Sequence, residues 1–301
     1  MDSAETPQLP RHAMSSRGTD AARSVLLGLI GAGIQGSRMP ALHQAEAAAQ
    51  GLNCVYRRID LATLCLTESA LPDLLTAARR FGFTGLNVTH PCKQVVIPLL
   101  DTLSEDARTI GAVNTIVFQS DGGATGHNTD ASGFAESFRR ELPNVALDKV
   151  VQLGAGGAGA AVAHALLGIG VRRLALIDTD RARAERLAAA LCQRFGVGRA
   201  SAAEAAEVAI AGADGIVNTT PIGMEKYPGT PIATSLLRAD HWVADIIYFP
   251  IETMLLRAAR ARGCPTMGGS GMAVFQAVAA FRLFTGVEPD AQRMLRHFES
   301  L

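Results

Sequence analysis

The chain alternates short apolar runs of strand length with longer segments in which apolar residues recur at helical spacing. In the first half this pattern predicts four strands and three helices. The predicted strands cover residues 26–30, 54–59, 85–89 and 113–118, and the predicted helices cover 39–50, 68–81 and 94–100. Strands that alternate with helices in this way are typical of a mostly parallel sheet covered by helices on both faces.

The second half repeats the alternation more regularly. Its predicted strands cover residues 149–153, 174–177, 215–218 and 242–247, and its predicted helices cover 158–169, 181–195, 271–284 and 289–299. Between residues 126 and 147 the pattern is interrupted by Asn-Thr-Asp and Leu-Pro-Asn, which are typical of turns. The sequence therefore predicts two α/β units with a boundary in this segment.

Composition narrows the range of partners. The 301 residues suit roughly two domains, and 48% apolar residues allow each domain to bury a core. The net charge is zero and no basic stripe occurs, so a nucleic-acid partner is not expected. The five scattered cysteines form no CxxC or Cys/His cluster. Neither a disulfide framework nor a metal site is therefore expected, and a cytoplasmic location fits.

Membrane and secretion signals are also not expected. The chain lacks an apolar run of the ~18 residues that a spanning helix needs. Residues 1–23 are polar, mix both charges and lack the apolar segment of a signal peptide. We interpret them as a disordered tail, or as an extension upstream of a start at Met14.

Lysine is rare in this chain, which makes its positions informative. Of 28 cationic side chains, only Lys93, Lys149 and Lys226 are lysine. Lys93 ends the segment 87–93, which is crowded with small polar groups. Arginine keeps its proton near neutral pH, whereas a buried lysine can release it, so Lys93 is a candidate acid–base group. The alternative is an ordinary solvated lysine, since such groups cluster at active sites only statistically.

The glycine pattern G-x-G-x-x-G, which can form a tight turn around a pyrophosphate, occurs twice. The second copy has the expected context, because a predicted strand precedes it and a helix of small residues follows it. Asp178 follows about 20 residues later, as this type of site requires. The candidate cofactor ligands in this copy are Gly154, Ala155, Gly156, Gly157, Ala158 and Gly159.

Asp178 indicates which dinucleotide binds. A carboxylate at this position accepts hydrogen bonds from the ribose hydroxyls and repels a 2′-phosphate, and Asp180 adds a second negative charge. NAD is therefore the predicted cofactor. NADP remains the alternative cofactor, because Arg181 and Arg183 follow and an arginine can bind the 2′-phosphate.

The first copy, residues 31–36, lacks one part of that context. Pro40 follows shortly after it, and a proline prevents a helix from running straight out of the glycine turn. A helix could begin at Pro40, but by then the chain has passed the place of a pyrophosphate. Although Asp60 ends the next predicted strand, we interpret this copy as a turn that presents Ser37 to a substrate.

Six segments together resemble the shikimate/quinate dehydrogenase family, and most closely its NAD-dependent quinate/shikimate branch. The segments are 85–93, 111–115, 126–130, 218–224, 245–250 and 272–276, and the resemblance extends over residues 24–301. It implies an α/β protein with an N-terminal α/β substrate domain, a doubly wound Rossmann-type nucleotide-binding domain and a cleft between them. The implied division is a tail over 1–23, a substrate-binding catalytic domain over 24–133 and 276–301, and an NAD-binding domain over 134–275.

The resemblance also implies a reaction and its residues. The family transfers hydride reversibly between a ring alcohol of a cyclic hydroxy acid and a nicotinamide, which here means quinate or shikimate and NAD. Lys93 and Asp130 are the implied catalytic pair, since alcohol oxidation needs a base for the hydroxyl proton. The implied substrate-binding residues are Ser37, Asn87, Thr89, Asn114, Tyr248 and Gln276. The further implied cofactor-binding residues are Asn218, Thr219 and Met224.

Two positions depart from the family pattern, so more than one substrate remains a candidate. Met39 stands where a hydroxyl is usual, and Cys92 stands where an aromatic residue is usual. One missing hydroxyl would weaken binding by about 1–1.5 kcal/mol, and quinate, shikimate and an amino-substituted relative all remain candidates. The alternative functions are a dehydrogenase of amino-shikimate type and a non-catalytic sensor of NAD and quinate. Both a monomer and a homodimer fit the sequence.

Overall fold

Two six-stranded sheets form the framework of the protein. The structure, a computed structural model, describes residues 24–301, so the tail predicted over 1–23 lies outside the described residues. The first sheet contains β1 (Ser24–Gly31), β2 (Asn53–Asp60), β3 (Gly85–Val88), β4 (Thr102–Leu103), β5 (Thr115–Phe118) and β6 (Ala124–His127). The second contains β7 (Lys149–Leu153), β8 (Arg173–Ile177), β9 (Ala200–Ala202), β10 (Gly215–Asn218), β11 (Trp242–Asp245) and β12 (Thr266–Met267).

Helices cover the faces of both sheets. They are α1 (Met39–Ala49), α2 (Leu71–Arg80), α3 (Cys92–Val95), α4 (Glu105–Ile110), α5 (Asp130–Glu141), α6 (Gly157–Gly168), α7 (Arg181–Phe195), α8 (Ala206–Ala211), α9 (Met254–Arg260), α10 (Gly269–Thr285) and α11 (Ala291–Ser300). Short 3-10 turns lie at Glu68–Ala70, Ile97–Leu99 and Thr234–Leu236. Within residues 24–301, none of these helices is both long and apolar enough to cross a membrane.

The second sheet has the strand order of a doubly wound nucleotide-binding fold. Its order is β12-β11-β10-β7-β8-β9, and all neighbouring strands are parallel. Val150 and Val151 are neighbours on β7 but belong to different cores, one shared with α5, α6 and α7 and the other with α8 and α9. The strand order reverses between β7 and β10, which is where ligands bind in such sheets. The prediction of a Rossmann-type unit is confirmed.

The first sheet is mostly parallel, as predicted, but one of its six strands is reversed. Its order is β2-β1-β3-β5-β6-β4, and β5 runs antiparallel to both β3 and β6. The turn over 119–123 joins β5 to β6, and it is too short for the crossover that two parallel strands would need. Because β5 is reversed, its start lies at the same edge as the end of β3, and Asn87 pairs with Thr115 there.

Two helices connect the sheets and cross each other closely. A methyl group on Gly133 of α5 would lie 2.6 Å from the backbone nitrogen of Gln276 on α10. Gly271 of α10 packs in the same way on Ser137 of α5. We predicted a domain boundary, not a helix, where α5 lies. The implied boundaries after residues 133 and 275 fall inside α5 and α10, so both sheets share these helices.

The prediction of a continuous helix over 94–100 is wrong. The structure instead has the short helix α3, followed by a 3-10 turn at Ile97–Leu99. Pro98 lacks a backbone N–H and its ring collides with the carbonyl four residues earlier, so the α-helix ends before it. Lys93, which precedes the predicted helix, lies within the short helix α3.

Candidate active site

Lys93 and Asp130 form a largely buried ion pair. Nζ of Lys93 lies 2.6 Å from Oδ2 of Asp130, and the two side chains are 16% and 8% exposed. Asp130 is the first residue of α5, where the helix dipole favours a carboxylate. Asn128 caps this end, since its Oδ1 accepts hydrogen bonds from the backbone N–H groups of Asp130 and Ala131. The carboxylate is therefore held in a fixed place opposite the amine.

Three carboxamides lie beside this pair and are buried or half-buried. Asn87 on β3 and Asn114 before β5 are 5% and 3% exposed. The backbone N–H of Thr129, directly before Asp130, donates to Oδ1 of Asn114 at 2.8 Å. Gln276 on α10 accepts a hydrogen bond from the hydroxyl of Thr129 at 3.4 Å. Asn87, Asn114 and Gln276 thus belong to one network at the edge where Asp130 begins its helix.

Three other predicted substrate residues contact neighbours other than the pair itself. The backbone N–H of Thr89 donates to the carbonyl of Ile30 at 2.9 Å, which keeps the residue next to β1. Ser37 accepts a hydrogen bond at its carbonyl from Arg58 at 2.8 Å. The Tyr248 ring packs edge-on against Phe298, with centroids 6.0 Å apart.

The surroundings of Tyr248 shift the pKa of its hydroxyl. Burial raises the pKa of its hydroxyl, and the nearby Arg38 guanidinium partly opposes that rise. The phenol is therefore neutral near pH 7 and acts as a hydrogen-bonding group rather than as a charge. Arg38 lies over the rings of both Phe249 and Phe298, at 5.9 and 5.4 Å from their centroids. It thus links the loop after β11 to the start of α1.

The first glycine turn already contains an anion supplied by the chain itself. The Asp60 carboxylate accepts hydrogen bonds from the backbone N–H groups of Gly33 and Ile34, at 2.8 and 3.1 Å. It also accepts from Nε2 of Gln35 at 2.9 Å and from the backbone of Ala62 at 3.1 Å. Burial alone would raise the pKa of Asp60, but these hydrogen bonds together lower it. The donors that a phosphate would need are occupied, as expected for a turn that does not bind a nucleotide.

The second glycine turn has the shape of a pyrophosphate cradle. Gly154 has a φ of +98°, which favours glycine. A methyl group on Gly159 would lie 2.5 Å from the carbonyl oxygen of Gly154, so only glycine lets α6 start this close. A methyl group on Gly156 would meet nothing within 4 Å, so the turn is open at that point. The first N–H groups of α6 have no acceptor within the helix and face this opening. The turn therefore fits a dinucleotide.

Asp178 lies at the end of β8, next to this turn. Its Oδ2 accepts a hydrogen bond from the backbone N–H of Ala155 at 2.7 Å, and its Oδ1 accepts from that of Asp180 at 2.8 Å. Arg183 also approaches Oδ1, at 3.4 Å. The carboxylate is thus fixed where the ribose of a bound dinucleotide would lie.

The predicted cofactor residues after β10 divide into two kinds. Asn218 is fully buried; its amide donates to Ile222 and Asp245, and its oxygen accepts from Thr220. The Thr219 hydroxyl donates to the backbone carbonyls at the end of β7. These side chains hold the loop and the glycine turn in place, and the N–H and O–H donors of both are used within the protein. Met224 is 40% exposed and is the member of this group whose side chain can contact a ligand.

The two halves of the site meet at Gly157. A methyl group on this glycine would lie 3.6 Å from both Cβ and Cδ of Lys93. The amine-bearing turn of the first sheet therefore packs directly on the glycine turn of the second. A dinucleotide on the glycine turn and a small molecule beside the Lys93–Asp130 pair would share one cleft.

Two family models match parts of the chain. One, described as the shikimate dehydrogenase substrate binding domain, covers residues 29–116. The other, described as the shikimate 5'-dehydrogenase C-terminal domain, covers residues 269–297. The matched segments include Lys93, Asn87, Asn114 and Gln276.

Similar proteins cover nearly the whole chain. A shikimate dehydrogenase (NADP(+)) from Streptomyces avermitilis is 56% identical over 280 residues, which are 92% of this chain and 96% of the relative. A quinate/shikimate dehydrogenase (NAD(+)) from Corynebacterium glutamicum is 54% identical over 282 residues, which are 92% of this chain and 99% of the relative. The solved structure of quinate dehydrogenase from Corynebacterium glutamicum in complex with NAD matches with a TM-score of 0.87 at 52% identity, and it covers 93% of this chain and 100% of that one.

Proposed function

Because the chain belongs to the shikimate dehydrogenase family, we propose that it oxidises a ring secondary alcohol of quinate or shikimate reversibly to the 3-dehydro ketone. The hydride acceptor in this reaction is a nicotinamide dinucleotide. The observation that carries the proposal is the 2.6 Å contact between Lys93 and Asp130, next to Gly157 of the dinucleotide turn. It supports a reaction in which the pair accepts the proton beside the dinucleotide turn.

The chemistry assigned to the protein is the transfer of one proton. When bound, the nicotinamide supplies the acceptor for the hydride that leaves the ring carbon. The O–H proton leaves the same alcohol and passes to the Lys93–Asp130 pair as the C=O bond forms, and it returns in the reverse direction. Asp130 holds Nζ of Lys93 in position, and the low exposure of both side chains keeps bulk water from competing for the proton.

NAD is the dinucleotide that the turn favours. The Asp178 carboxylate suits a ribose diol, and with Asp180 it repels a 2′-phosphate. Related proteins are named for both NAD(+) and NADP(+), so the preference needs its own test. We expect Asp178→Ala to narrow the ratio of kcat/KM between NAD and NADP, because the repulsion is removed. An unchanged ratio would count against the role of Asp178.

Met39 bears on which cyclic acid is preferred. Its sulfur accepts a weak hydrogen bond from Nε2 of Gln276 at 3.2 Å. Met39 itself therefore offers no hydroxyl to a substrate on the side of the cleft that Gln276 faces. This supports testing an amino-substituted analogue of shikimate beside quinate and shikimate.

The deciding experiment is a matrix of initial rates with the purified full chain. Quinate, shikimate and the amino-substituted analogue are each assayed with NAD and with NADP. We expect reduction of NAD with quinate, shikimate or both. Binding of NAD and quinate without reduction would support a sensor instead, and turnover of the amino analogue alone would support the amino-shikimate type.

A further inference from the structure

Behind the proposed substrate site, polar side chains form a continuous hydrogen-bond chain. The Tyr56 hydroxyl donates to Oδ1 of Asn87 at 2.7 Å, and Nδ2 of Asn87 donates to Oγ1 of Thr115 at 3.1 Å. The Thr115 hydroxyl then donates to Oδ1 of Asn114 at 3.0 Å. Nδ2 of Asn114 donates to Oγ1 of Thr129 at 2.9 Å. Tyr56, Thr115 and Thr129 were not among the predicted site residues.

The direction of the next hydrogen bond follows from counting lone pairs. Oδ1 of Asn114 has two, and it accepts from the backbone N–H of Thr129 at 2.8 Å and from Thr115 at 3.0 Å. The proton of the Thr129 hydroxyl is therefore not needed there, although the oxygens are 3.2 Å apart. It points instead to Oε1 of Gln276, 3.4 Å away.

Gln276 is oriented by these contacts. Its Nε2 donates to the backbone carbonyl of Ala273 at 3.0 Å and to the sulfur of Met39 at 3.2 Å. Both N–H bonds are thus used, and Oε1 keeps one lone pair after accepting from Thr129. Asn114 has the opposite arrangement, since its oxygen is saturated and one N–H remains. The wall of the cleft therefore offers a hydrogen-bond donor at Asn114 and an acceptor at Gln276.

The Thr129 hydroxyl is not used for the structural purpose that its position suggests. It is the residue before the first turn of α5, where a threonine commonly caps the helix, but its side chain makes no cap hydrogen bond. Asn128 takes that role. Thr129 is only 4% exposed, so its hydroxyl is committed to Asn114 and Gln276.

We propose that Thr129 is a positioning residue, whose hydroxyl sets the orientation of the Asn114 and Gln276 carboxamides toward the substrate. The inference rests on the proposed function, because it concerns the same cleft. It specifies that the substrate carries at least two hydroxyls, one that accepts from Asn114 and one that donates to Gln276. Without the Thr129 hydroxyl, Nδ2 of Asn114 and Oε1 of Gln276 each lose one hydrogen bond, so both carboxamides are held less firmly toward the substrate.

The test compares Thr129→Val with Thr129→Ser. Valine keeps the shape of the side chain and removes the hydroxyl, whereas serine keeps the hydroxyl. Steady-state kinetics with quinate and shikimate give kcat and the KM of each substrate, and the Kd for NAD is measured by calorimetry. Thr285→Val is the matched control, because Thr285 is also buried and its hydroxyl donates to a helix carbonyl at 2.8 Å, outside the proposed site.

We expect Thr129→Val to raise the KM for the cyclic acid about tenfold, the effect of roughly one lost hydrogen bond. The Kd for NAD should stay within about twofold, and Thr129→Ser should restore the KM. Thr285→Val should lower the melting temperature without changing the KM. If Thr129→Val has the wild-type KM, or if the serine variant is as impaired as the valine variant, the proposal is wrong.

Failure of the proposed function would look different, since the wild-type chain itself would then turn over neither quinate nor shikimate. If Thr129→Val does not fold, the same valine and serine pair is made at Thr115. Its loss would free a lone pair on Asn114, which would draw the Thr129 hydroxyl away from Gln276. A KM raised in Thr115→Val and restored in Thr115→Ser would support the positioning chain, and an unchanged KM would overturn it.

Discussion

Two turns with the same glycine spacing stand at the reversal points of the two sheets, and each lies beside an aspartate at the end of the neighbouring strand. In the first turn, Asp60 fills the turn and takes two of its amides. In the second turn, Asp178 takes only the amide of Ala155 and leaves the start of α6 open. The spacing alone therefore specifies a turn, and the neighbouring carboxylate decides whether an outside anion can enter it.

The helices that follow the two turns also differ, in where they start and in what they pack against. Helix α1 starts two residues after Ser37 and carries His43, which is fully buried among aromatic rings. Helix α6 starts within the second turn and is built mostly from small residues, with His164 only half-buried on Phe195. One helix therefore packs a core behind the proposed substrate site, and the other directs its N-terminus toward the proposed dinucleotide site.

The proposed proton transfer takes place at the first sheet, and Lys93→Ala is the most severe test of this proposal. We expect kcat to fall by roughly 10²- to 10⁴-fold, since the pair that takes the proton is lost. The Kd for NAD, measured by calorimetry, should stay close to that of the wild type. Lys149→Ala is the control, because Lys149 is an exposed lysine at the start of β7. Loss of NAD binding in Lys93→Ala would instead give Lys93 a role in the nucleotide site.

Asp60→Asn breaks the first turn. Asparagine offers one oxygen and places an NH₂ group against backbone donors, so we expect the free energy of unfolding to fall by about 3 kcal/mol. Asp178→Asn should lower it by only about 1 kcal/mol, since Asp178 holds fewer turn amides. Urea denaturation at pH 7.5 measures both. Equal losses would show that the two turns hold their aspartates in the same way.

Because His43 is buried, the free energy of unfolding should depend on pH. Burial lowers the pKa of His43 from 6.5 to about 4. The unfolded chain binds this proton below pH 6.5 and the folded protein does not, so stability that is present above pH 6.5 is lost as the pH falls toward 4. We expect this histidine to contribute about 2 kcal/mol to the loss of stability between pH 7.5 and pH 5. Urea midpoints at both pH values should differ less in His43→Leu than in the wild type.

The control for this effect lies on the other helix. Burial is the main cause that lowers the pKa of His164, which is less enclosed than His43. His164→Leu should therefore remove a smaller part of the pH dependence. If the urea midpoints of His43→Leu differ between the two pH values as much as those of the wild type, another group takes up the proton.

Gly156→Ala tests the opening of the second turn with the smallest expected effect. The new methyl group would meet no protein atom within 4 Å, so folding should be unaffected. It would occupy space that the pyrophosphate needs, and we expect the Kd for NAD to rise about tenfold. Gly36→Ala in the first turn also meets no protein atom within 4 Å and should leave this Kd unchanged. A weaker NAD complex in Gly36→Ala would mean that both turns contact the dinucleotide.

The fold of the second sheet and the family could be predicted from the sequence, because the residues that indicate them lie close together along the chain or in short continuous segments. Strand, glycine turn, helix and Asp178 follow one another within a short stretch, and the structure orders its second sheet accordingly. The family suggested by six short segments is confirmed by relatives that align over nearly the whole chain. Pro40 distinguished the two glycine copies in the sequence, and the amides that Asp60 occupies in the first turn support that prediction.

The parts that could not be predicted depend on contacts between distant segments. Helix α5 contains Gly133, a poor helix former, and the reason for this glycine is the close approach of α10. Thr115 and Thr129 read as ordinary strand and turn residues. The pairing of β3 with β5 brings Thr115 to Asn87, and the pairing of β5 with β6 brings Thr129 to Asn114. Asn218 was predicted to bind the cofactor, but its buried amide is occupied by the protein. The individual site roles stay predictions until the kinetics are measured.

The crossing of α5 and α10 has a consequence for how the cleft could evolve. Both helices run from one sheet toward the other, and their glycine contacts at Gly133 and Gly271 leave no room for a larger residue. We expect a larger residue at either position to push the helices apart and so to alter the contact between Lys93 and Gly157. The distance between the proposed substrate and dinucleotide sites therefore depends on how closely these two helices cross, and substitutions at the two glycines could change activity while every polar side chain of the cleft is kept.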